Sequence, residues 1–245
     1  MATKYIYGVV PATADLPSLP GIGGAQLELI AADGIAALAS DGPRGDLVMG
    51  REAMTTHARV LEAAHALGTV LPMRFGVVME SEEQVIARLL AARHEELATQ
   101  LEGFHGKAEL RLRATYEEEA MLREVVREDQ DVARLRDSLR GAPEDATYYG
   151  RIQLGELVAR ALERKRERDA EHIVQALSRL ALAVEVTPPP HERIVLNASF
   201  LVDQSALAQF DAAVDQVGES QGGRMRFKYT GPLPPHSFVK FGPED

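Results

Sequence analysis

The stretch KAELRLRATY, residues 107–116, decides the fold of the second half of the chain. Apolar or aromatic side chains occupy every second position, and charged or hydroxyl side chains occupy the positions between them. This period of two predicts a strand with one face on a core and the other in solvent. Downstream patterns predict helices, a short strand at 183–186, an alternating strand at 194–202, another helix and a last strand at 225–229.

The resulting order, β-α(α)-β-β-α-β, is that of a ferredoxin-like sheet whose first helical layer is enlarged. This topology puts the first and last strands side by side, so their outward faces would form one basic surface. We expect that surface to meet a partner or to lie under acidic parts of the same chain, such as the long charged helix or the Glu244-Asp245 end. Its candidate residues are Lys107, Arg111, Arg113, Arg224, Arg226 and Lys228.

The first half mixes strands and helices. Residues 5–10 predict a strand, and Asp33-Gly34 between two apolar runs predicts a hairpin. Helical spacing predicts a helix that ends near Gly68, and residues 70–78 read as one extended segment. A second helix is expected from Ser81 to about Glu102.

The length of 245 residues fits one large domain or two small ones. Gly103 and Gly106 separate the two patterns, so we predict an α+β protein with two domains. Residues 1–105 would form an N-terminal α+β domain with a hairpin and two helices. Residues 106–230 would form a ferredoxin-like domain with long helices, and residues 231–245 a Pro-rich tail docked on the body. The charged middle of the long helix, 163–169, is expected to project past the core.

Composition excludes several classes of protein. The chain has no cysteine, so disulfides and thiolate metal sites are absent. The formal net charge of −10 disfavours binding to nucleic acid. No run of about 18 apolar residues predicts a membrane span, and no signal peptide precedes the first strand. We therefore expect a soluble cytoplasmic protein that does not bind nucleic acid or membranes.

Residues that could carry catalysis do not form a recognisable pattern. His57 and His65 lie eight residues apart on one predicted helix and lack a third ligand, so we expect no metal and no cofactor. No nucleophile motif appears, and no catalytic residue is predicted. Two alternatives remain open at this point: a small-molecule enzyme on a ferredoxin-like scaffold, and an RNA-binding module.

Two segments are unusual for their positions. LPMRFG at 71–76 has a proline inside an extended run, and GPLPPHSFV at 231–239 is a Pro-rich end that carries apolar residues. Together with YIYGVV at 5–10 and YYG at 148–150, they resemble, in the same order, the gas vesicle protein L/F family (GvpL/GvpF). Val77 and His236 depart from the family pattern, where Thr and Tyr are common.

The resemblance implies a non-enzymatic assembly protein of gas vesicles. It implies a minor vesicle component that binds the small hydrophobic shell protein (GvpA), limits its aggregation, and contacts other assembly proteins. It also implies two α+β domains and a location at the gas vesicle. Its motif residues are expected to be structural, with Phe75 and Phe238 as apolar anchors; they are Pro72, Arg74, Phe75, Gly76, Gly231, Pro232, Pro235, Ser237 and Phe238.

Overall fold

The computed structural model of the chain describes residues 3–42, 50–141, 143–191 and 193–241. The chain divides into two compact units. The first unit contains Met1–Leu110, Leu201–Ser205 and Gly231–Asp245, and the second contains Arg111–Phe200 and Ala206–Thr230. The division falls inside a strand, beyond the glycines at 103 and 106, and the segment from Gly231 belongs to the first unit. The boundaries at 105 and 230 stay predictions.

The first unit is built on an antiparallel sheet in which a central strand pairs on both sides. The strands are β1 (Lys4–Pro11), β2 (Leu27–Ala32), β3 (Ile35–Asp41), β4 (Leu71–Pro72) and β5 (Val78–Met79). Their order is β2-β3-β1-β4, and β5 also pairs with β1. The helices are α1 (Arg51–Leu67), α2 (Glu82–Gln84), which continues as a π-helix (Val85–Ala91), and α3 (His94–Gly103).

Strand β1 places apolar side chains on both faces of this sheet, and an irregularity between Ile6 and Gly8 shifts its alternation. Ile6 and Val9 pack in one cluster with residues of the π-helix and α3. Tyr5, Tyr7 and Val10 pack in another cluster with residues of α1. The sheet therefore lies between two helical layers, and β1 is buried on both sides.

The hairpin prediction is confirmed, whereas two longer elements are interrupted. Asp33 and Gly34 adopt positive φ values of 47° and 88° between β2 and β3, as a tight two-residue turn requires. Residues 70–78 do not form one strand, because the chain turns between β4 and β5, with Gly76 at a φ of 96°. The helix expected from Ser81 to Glu102 also breaks, since α3 begins separately at His94.

The second sheet has the order β7-β8-β6-β9. Its strands are β6 (Lys107–Tyr116), β7 (Ala183–Val186), β8 (Ile194–Asp203) and β9 (Met225–Leu233). The accompanying helices are α4 (Glu118–Glu128), α5 (Gln130–Ser138), α6 (Glu144–Ser178) and α7 (Leu207–Ser220). Both sheets are antiparallel.

Helices α4 and α5 replace the single helix suggested by the spacing of residues 121–139. The carboxylate of Asp129 accepts hydrogen bonds from the N–H groups of Asp131 and Val132, so it ends α4 and caps α5. No helix among the described residues is long and apolar enough to cross a membrane.

Candidate functional site

The LPMRFG segment is held to β1 by backbone pairing. Leu71 pairs with Val9 and Pro72 with Gly8, and the N–H of Met73 donates to the carbonyl of Tyr7 at 2.8 Å. A Cβ on Gly8 would lie 2.6 Å from the carbonyl oxygen of Leu71, closer than such atoms approach. Glycine at position 8 therefore allows the motif strand to approach β1.

A buried network holds the turn of the motif. The carbonyl of Met73 can only accept, so the Nε2–H of His57 donates to it at 3.2 Å. In a neutral ring Nδ1 then accepts, and the hydroxyl of Tyr5 donates to it at 2.9 Å. The Tyr5 oxygen accepts from the N–H of Gly76 at 3.0 Å. Burial lowers the pKa of His57, which is consistent with the neutral ring.

Phe75 and Arg74 have opposite environments. The half-buried ring of Phe75 contacts His57 edge-on at 5.7 Å and lies 6.2 Å from the ring of Tyr5. Arg74 is exposed, and its side chain makes no hydrogen bond or ion pair within the part of the chain that the structure describes. Phe75 thus packs against the cluster that contains Tyr5 and Tyr7. The contacts that the structure gives do not assign Arg74 a structural role.

The C-terminal motif packs on the first unit around a buried carboxylate. Glu109 is fully buried, although the alternation of β6 had placed it on the solvent face. Its two oxygens accept hydrogen bonds from the Ser237 N–H at 2.7 Å and the Ser237 hydroxyl at 2.8 Å. Gly231 has a φ of 144°, and a Cβ there would lie 2.9 Å from the Glu109 carbonyl. The motif therefore approaches Glu109 at two places, Gly231 and Ser237.

The remaining residues of this motif differ in burial. Pro235 is buried, Pro232 is exposed in a cis peptide bond with Gly231, and Phe238 is half-buried. Phe238 lines a groove of about 880 Å³ beside α3. Lys240 exchanges two backbone hydrogen bonds with the Gln100 side chain, at 2.8 and 2.9 Å. The segment is thus attached to α3 as well as to Glu109.

The six predicted basic residues differ in their positions and in their contacts. Lys107 belongs to the first unit, and its ammonium contacts the carbonyl of Gly103. The other five belong to the second unit, where β6 and β9 are neighbours, as the predicted topology requires. Arg111, Arg113 and Lys228 are exposed. Arg226 is also exposed and pairs with Glu117 at 2.7 Å.

Arg224 lies against acidic side chains of α4 and α6, which is the kind of cover expected as one alternative for the basic surface. Its guanidinium pairs with Asp169 at 2.6 Å and with Glu124 at 2.8 Å, so its charge is neutralised beside the helices instead of being displayed with the other cations. Asp169 also accepts from the hydroxyl of Tyr116 at 2.5 Å. Burial and this hydrogen bond raise the pKa of Tyr116. The Glu244-Asp245 end, the other expected cover, lies outside the described residues.

The charged middle of α6 also differs from its prediction. The side chain of Lys165 is only 7% exposed and pairs with Glu124 and Glu128 of α4, each at 2.9 Å. Burial lowers the pKa of Lys165, but the hydrogen bonds that its ammonium donates to the two carboxylates outweigh burial and raise it. This part of α6 therefore packs on α4 through ion pairs, which the charge pattern of α6 alone does not reveal.

In the YYG segment at the start of α6, the glycine packs closely against a neighbouring side chain and the two tyrosines are exposed. A Cβ on Gly150 would lie 2.5 Å from the side chain of Leu139, so glycine lets the end of α5 approach. Tyr148 and Tyr149 contact each other edge-on at 5.3 Å and are 62% and 83% exposed, and Ile152 one turn on is also exposed. Three large apolar side chains thus form an exposed patch in the second unit.

The histidines among the described residues are not arranged to bind a metal ion. His57 is committed to the network with Tyr5 and Met73, and His65 is buried without a hydrogen-bond partner. No group of three or more His, Cys, Asp or Glu side chains in the described ranges is arranged to hold an ion.

Comparison with known proteins identifies the family. The family described as "Gas vesicle synthesis protein GvpL/GvpF" matches residues 3–240. The chain belongs to the GvpL/GvpF family. Gas vesicle protein F of Streptomyces sp. (strain CB03234) is 35% identical over 97% of this chain and 100% of its own length. Gas vesicle protein L1 of Halobacterium salinarum is 25% identical over 96% and 90%.

Solved structures of GvpL/GvpF proteins have the same fold. The crystal structure of GvpF from Anabaena sp. PCC7120 matches with a TM-score of 0.87 and 25% identity, covering 99% of this chain and all of that chain. GvpF from Microcystis aeruginosa matches with a TM-score of 0.80 and 21% identity. Membership of this family implies a role in gas vesicle formation and not in a known enzymatic reaction.

Proposed function

We propose that the chain is a non-enzymatic gas vesicle assembly protein, located at the vesicle in the cytoplasm. It is a minor vesicle component that binds the small hydrophobic shell protein GvpA and limits its aggregation during vesicle formation, alongside other assembly proteins. The observation that carries this proposal is the match of residues 3–240 to the GvpL/GvpF family, which leaves no large part of the chain for another activity.

The second sheet supports the family's domain organisation. Its order, β7-β8-β6-β9, puts the first and last strands of the second half side by side, and three helices intervene between β6 and β7. We assign this sheet to a ferredoxin-like domain with an enlarged helical layer. In this sheet β6 and β9 expose alternate side chains, whereas β8 is buried on both faces.

Two surfaces of the second unit suit a hydrophobic subunit that must stay apart from its copies. The aromatic patch of Tyr148, Tyr149 and Ile152 offers apolar area. Of the six predicted cations, Arg113 and Lys228 are exposed on β6 and β9 and offer positive charge on a chain of net charge −10. Apolar contact would supply affinity, and charge would orient the bound subunit.

The proposal is tested by co-expression of tagged full-length chain with the shell protein. We expect the shell protein to co-elute with the chain and to stay in the supernatant after centrifugation. Reversal of Arg113 and Lys228 to Glu should reduce co-elution and its salt dependence without lowering the melting temperature. The matched control reverses Arg123 and Arg134, two exposed arginines on α4 and α5.

The aromatic patch is tested in the same assay. Tyr148→Ser with Tyr149→Ser should reduce co-elution, whereas the control Met54→Ser with Leu67→Ser removes exposed apolar area from α1 and should not. A shell protein that precipitates equally with and without the wild-type chain contradicts the proposed function. Normal co-elution of both docking variants contradicts only the assigned surfaces.

A further inference from the structure

Strand β7 is an open edge of the second sheet. It lies at the end of the order β7-β8-β6-β9, and no strand among the described residues pairs with its other side. Leu182 and Val186 are 58% and 53% exposed. An exposed apolar edge is a template for pairing with another strand. Proteins usually cover such an edge or charge it, and the only charge on β7 is Glu185.

The hydrogen bonds of the hairpin show which backbone groups of β7 point outward. The N–H of Thr187 donates to the carbonyl of Asn197 on β8 at 2.9 Å. In an antiparallel pair, alternate residues direct both backbone groups to the same neighbour. Residues 183, 185 and 187 therefore bond to β8. The N–H and C=O groups of 184 and 186 face the open side, and Leu182 lies at the bend just before the strand.

The outward-facing residues are also the apolar ones. Side chains of alternate residues share one face of a strand, so Val184 and Val186 lie on one apolar face, and Leu182 precedes them at the bend. The opposite face carries Ala183 and Glu185. A strand added at this edge would thus find its hydrogen bonds and its apolar contacts at the same residues.

We propose that this edge pairs with β7 of a second copy of the chain, antiparallel, with the two-fold axis at Val184. In this register Val184 faces itself, and Leu182 faces Val186 of the second copy. Val184 exchanges two backbone hydrogen bonds with Val184 of the second copy, because its backbone groups face outward, and Leu182 extends the apolar contact to Val186 of the second copy. Glu185 lies opposite Ala183 of the second copy, so like charges do not meet.

A second copy suits the edge because the edge is complementary to itself. A register shifted by two residues, which would pair Val184 with Val186 of the second copy, opposes Glu185 to Glu185, so repulsion between like charges disfavours it. Pro188, Pro189 and Pro190 follow at once and cannot donate, so pairing stops beyond Thr187. The contact is therefore closed and two-fold. Two short strands bury little area, so the dimer is weak and depends on concentration.

A charge-pair experiment tests both the contact and its register. In the full chain, Leu182→Glu with Val186→Glu places like charges opposite each other across the two-fold axis, and Leu182→Glu with Val186→Lys places opposite charges there. Within one copy these positions are about 13 Å apart along the strand, so the two variants differ mainly in pairing. Sedimentation velocity over a concentration series measures self-association.

We expect the wild-type chain to dimerise as concentration rises. The Glu/Glu variant should associate at least tenfold more weakly, and the Glu/Lys variant should regain dimerisation that added salt weakens. Equal melting temperatures and circular dichroism spectra establish that both variants fold. Leu182→Lys with Val186→Glu repeats the restored pairing at the same net charge.

Two results would overturn the proposal. One is a wild-type chain that stays monomeric at the highest concentration reached, and the other is equal self-association of the Glu/Glu and Glu/Lys variants. Hydrogen exchange adds a direct readout, because dimerisation should slow exchange at the amides of Val184 and Val186. Slowed exchange there only after addition of another gas vesicle protein would assign the edge to that protein's strand instead.

Discussion

The hydroxyl of Tyr5 joins three segments of the first unit: β1, the imidazole of His57 in α1, and the backbone of Gly76 in the motif turn. Tyr5→Phe leaves a buried Nδ1 and a peptide N–H without their partner. We expect a loss of about 1–3 kcal/mol in the free energy of unfolding, measured by urea titration. Tyr149→Phe, which removes the hydroxyl of an exposed ring, is the control and should change little. Equal stability of Tyr5→Phe and wild type would show that the network contributes nothing.

His65 gives a prediction about pH. Burial lowers the pKa of His65, and neither ring nitrogen has a hydrogen-bond partner among the described residues. Below the unfolded pKa of about 6.5 the unfolded ring takes up a proton that the folded ring resists, so stability falls as pH decreases from that value. His65→Leu should therefore stabilise the chain, and by more at pH 5.5 than at pH 8.

The pH prediction is checked by urea unfolding at both values. His172→Leu, which makes the same substitution at an exposed histidine on α6, is the matched control. Burial also lowers the pKa of His57, so His65→Leu is expected to reduce the loss of stability at low pH and not to abolish it. A gain for His65→Leu that is the same at pH 5.5 and pH 8 would contradict the assignment.

At the scale of elements, the sequence predicted the features that depend on neighbouring residues alone. The hairpin at Asp33-Gly34 and the alternation of β6 follow from turn geometry and from a period of two, and both are present. The break between β4 and β5 was not predicted, because it depends on a hydrogen bond from Gly76 to Tyr5, 71 positions away. Periodicity within a segment carries no trace of such a contact.

The same limit applies to the candidate site. Arg224 follows the alternation of the basic strand, but its position is decided by Asp169 and Glu124, which lie on two helices. Lys165 sits in a run that is charged on all sides, and it is buried because α4 presents two carboxylates to it. Sequence could supply the residue types of these pairs. Only the packing of α4 against α6 selects the partners.

The C-terminal motif gives a prediction with a matched control. Gly231 and Gly222 both have positive φ, at 144° and 54°, so alanine strains the backbone at each. A Cβ at 231 would also meet the carbonyl of Glu109, whereas a Cβ at 222 meets nothing within 4 Å. We expect Gly231→Ala to cost about 1–3 kcal/mol more than Gly222→Ala in urea unfolding. Equal losses would mean that the segment shifts freely at Glu109.

At the scale of the molecule, the first unit is assembled from both ends of the sequence. The described part of the segment from Gly231 lies in it, and Val239 and Phe241 pack against the core that contains Ile6 and Val9. The unit therefore depends on residues more than 200 positions from its first strand.

Deletion of residues 231–245 tests that dependence. The deletion leaves the carboxylate of Glu109 without its Ser237 donors and uncovers apolar core, so the first unit should lose stability. Hydrogen exchange should show faster exchange in β1 and α3, while the helices α4 to α6 keep their protection. Uniform protection in the shortened chain would contradict this role for the segment.

The placement of the C-terminal segment has a consequence for biosynthesis. The ribosome makes the first 110 residues early, but it makes the segment that covers Glu109 and Gln100 only after the residues of the second unit. The first unit can therefore finish folding only after the second unit has been synthesised. A product terminated before Gly231 would lack this cover and expose apolar surface to proteases. A completely folded first unit thus indicates that the second unit has already been made.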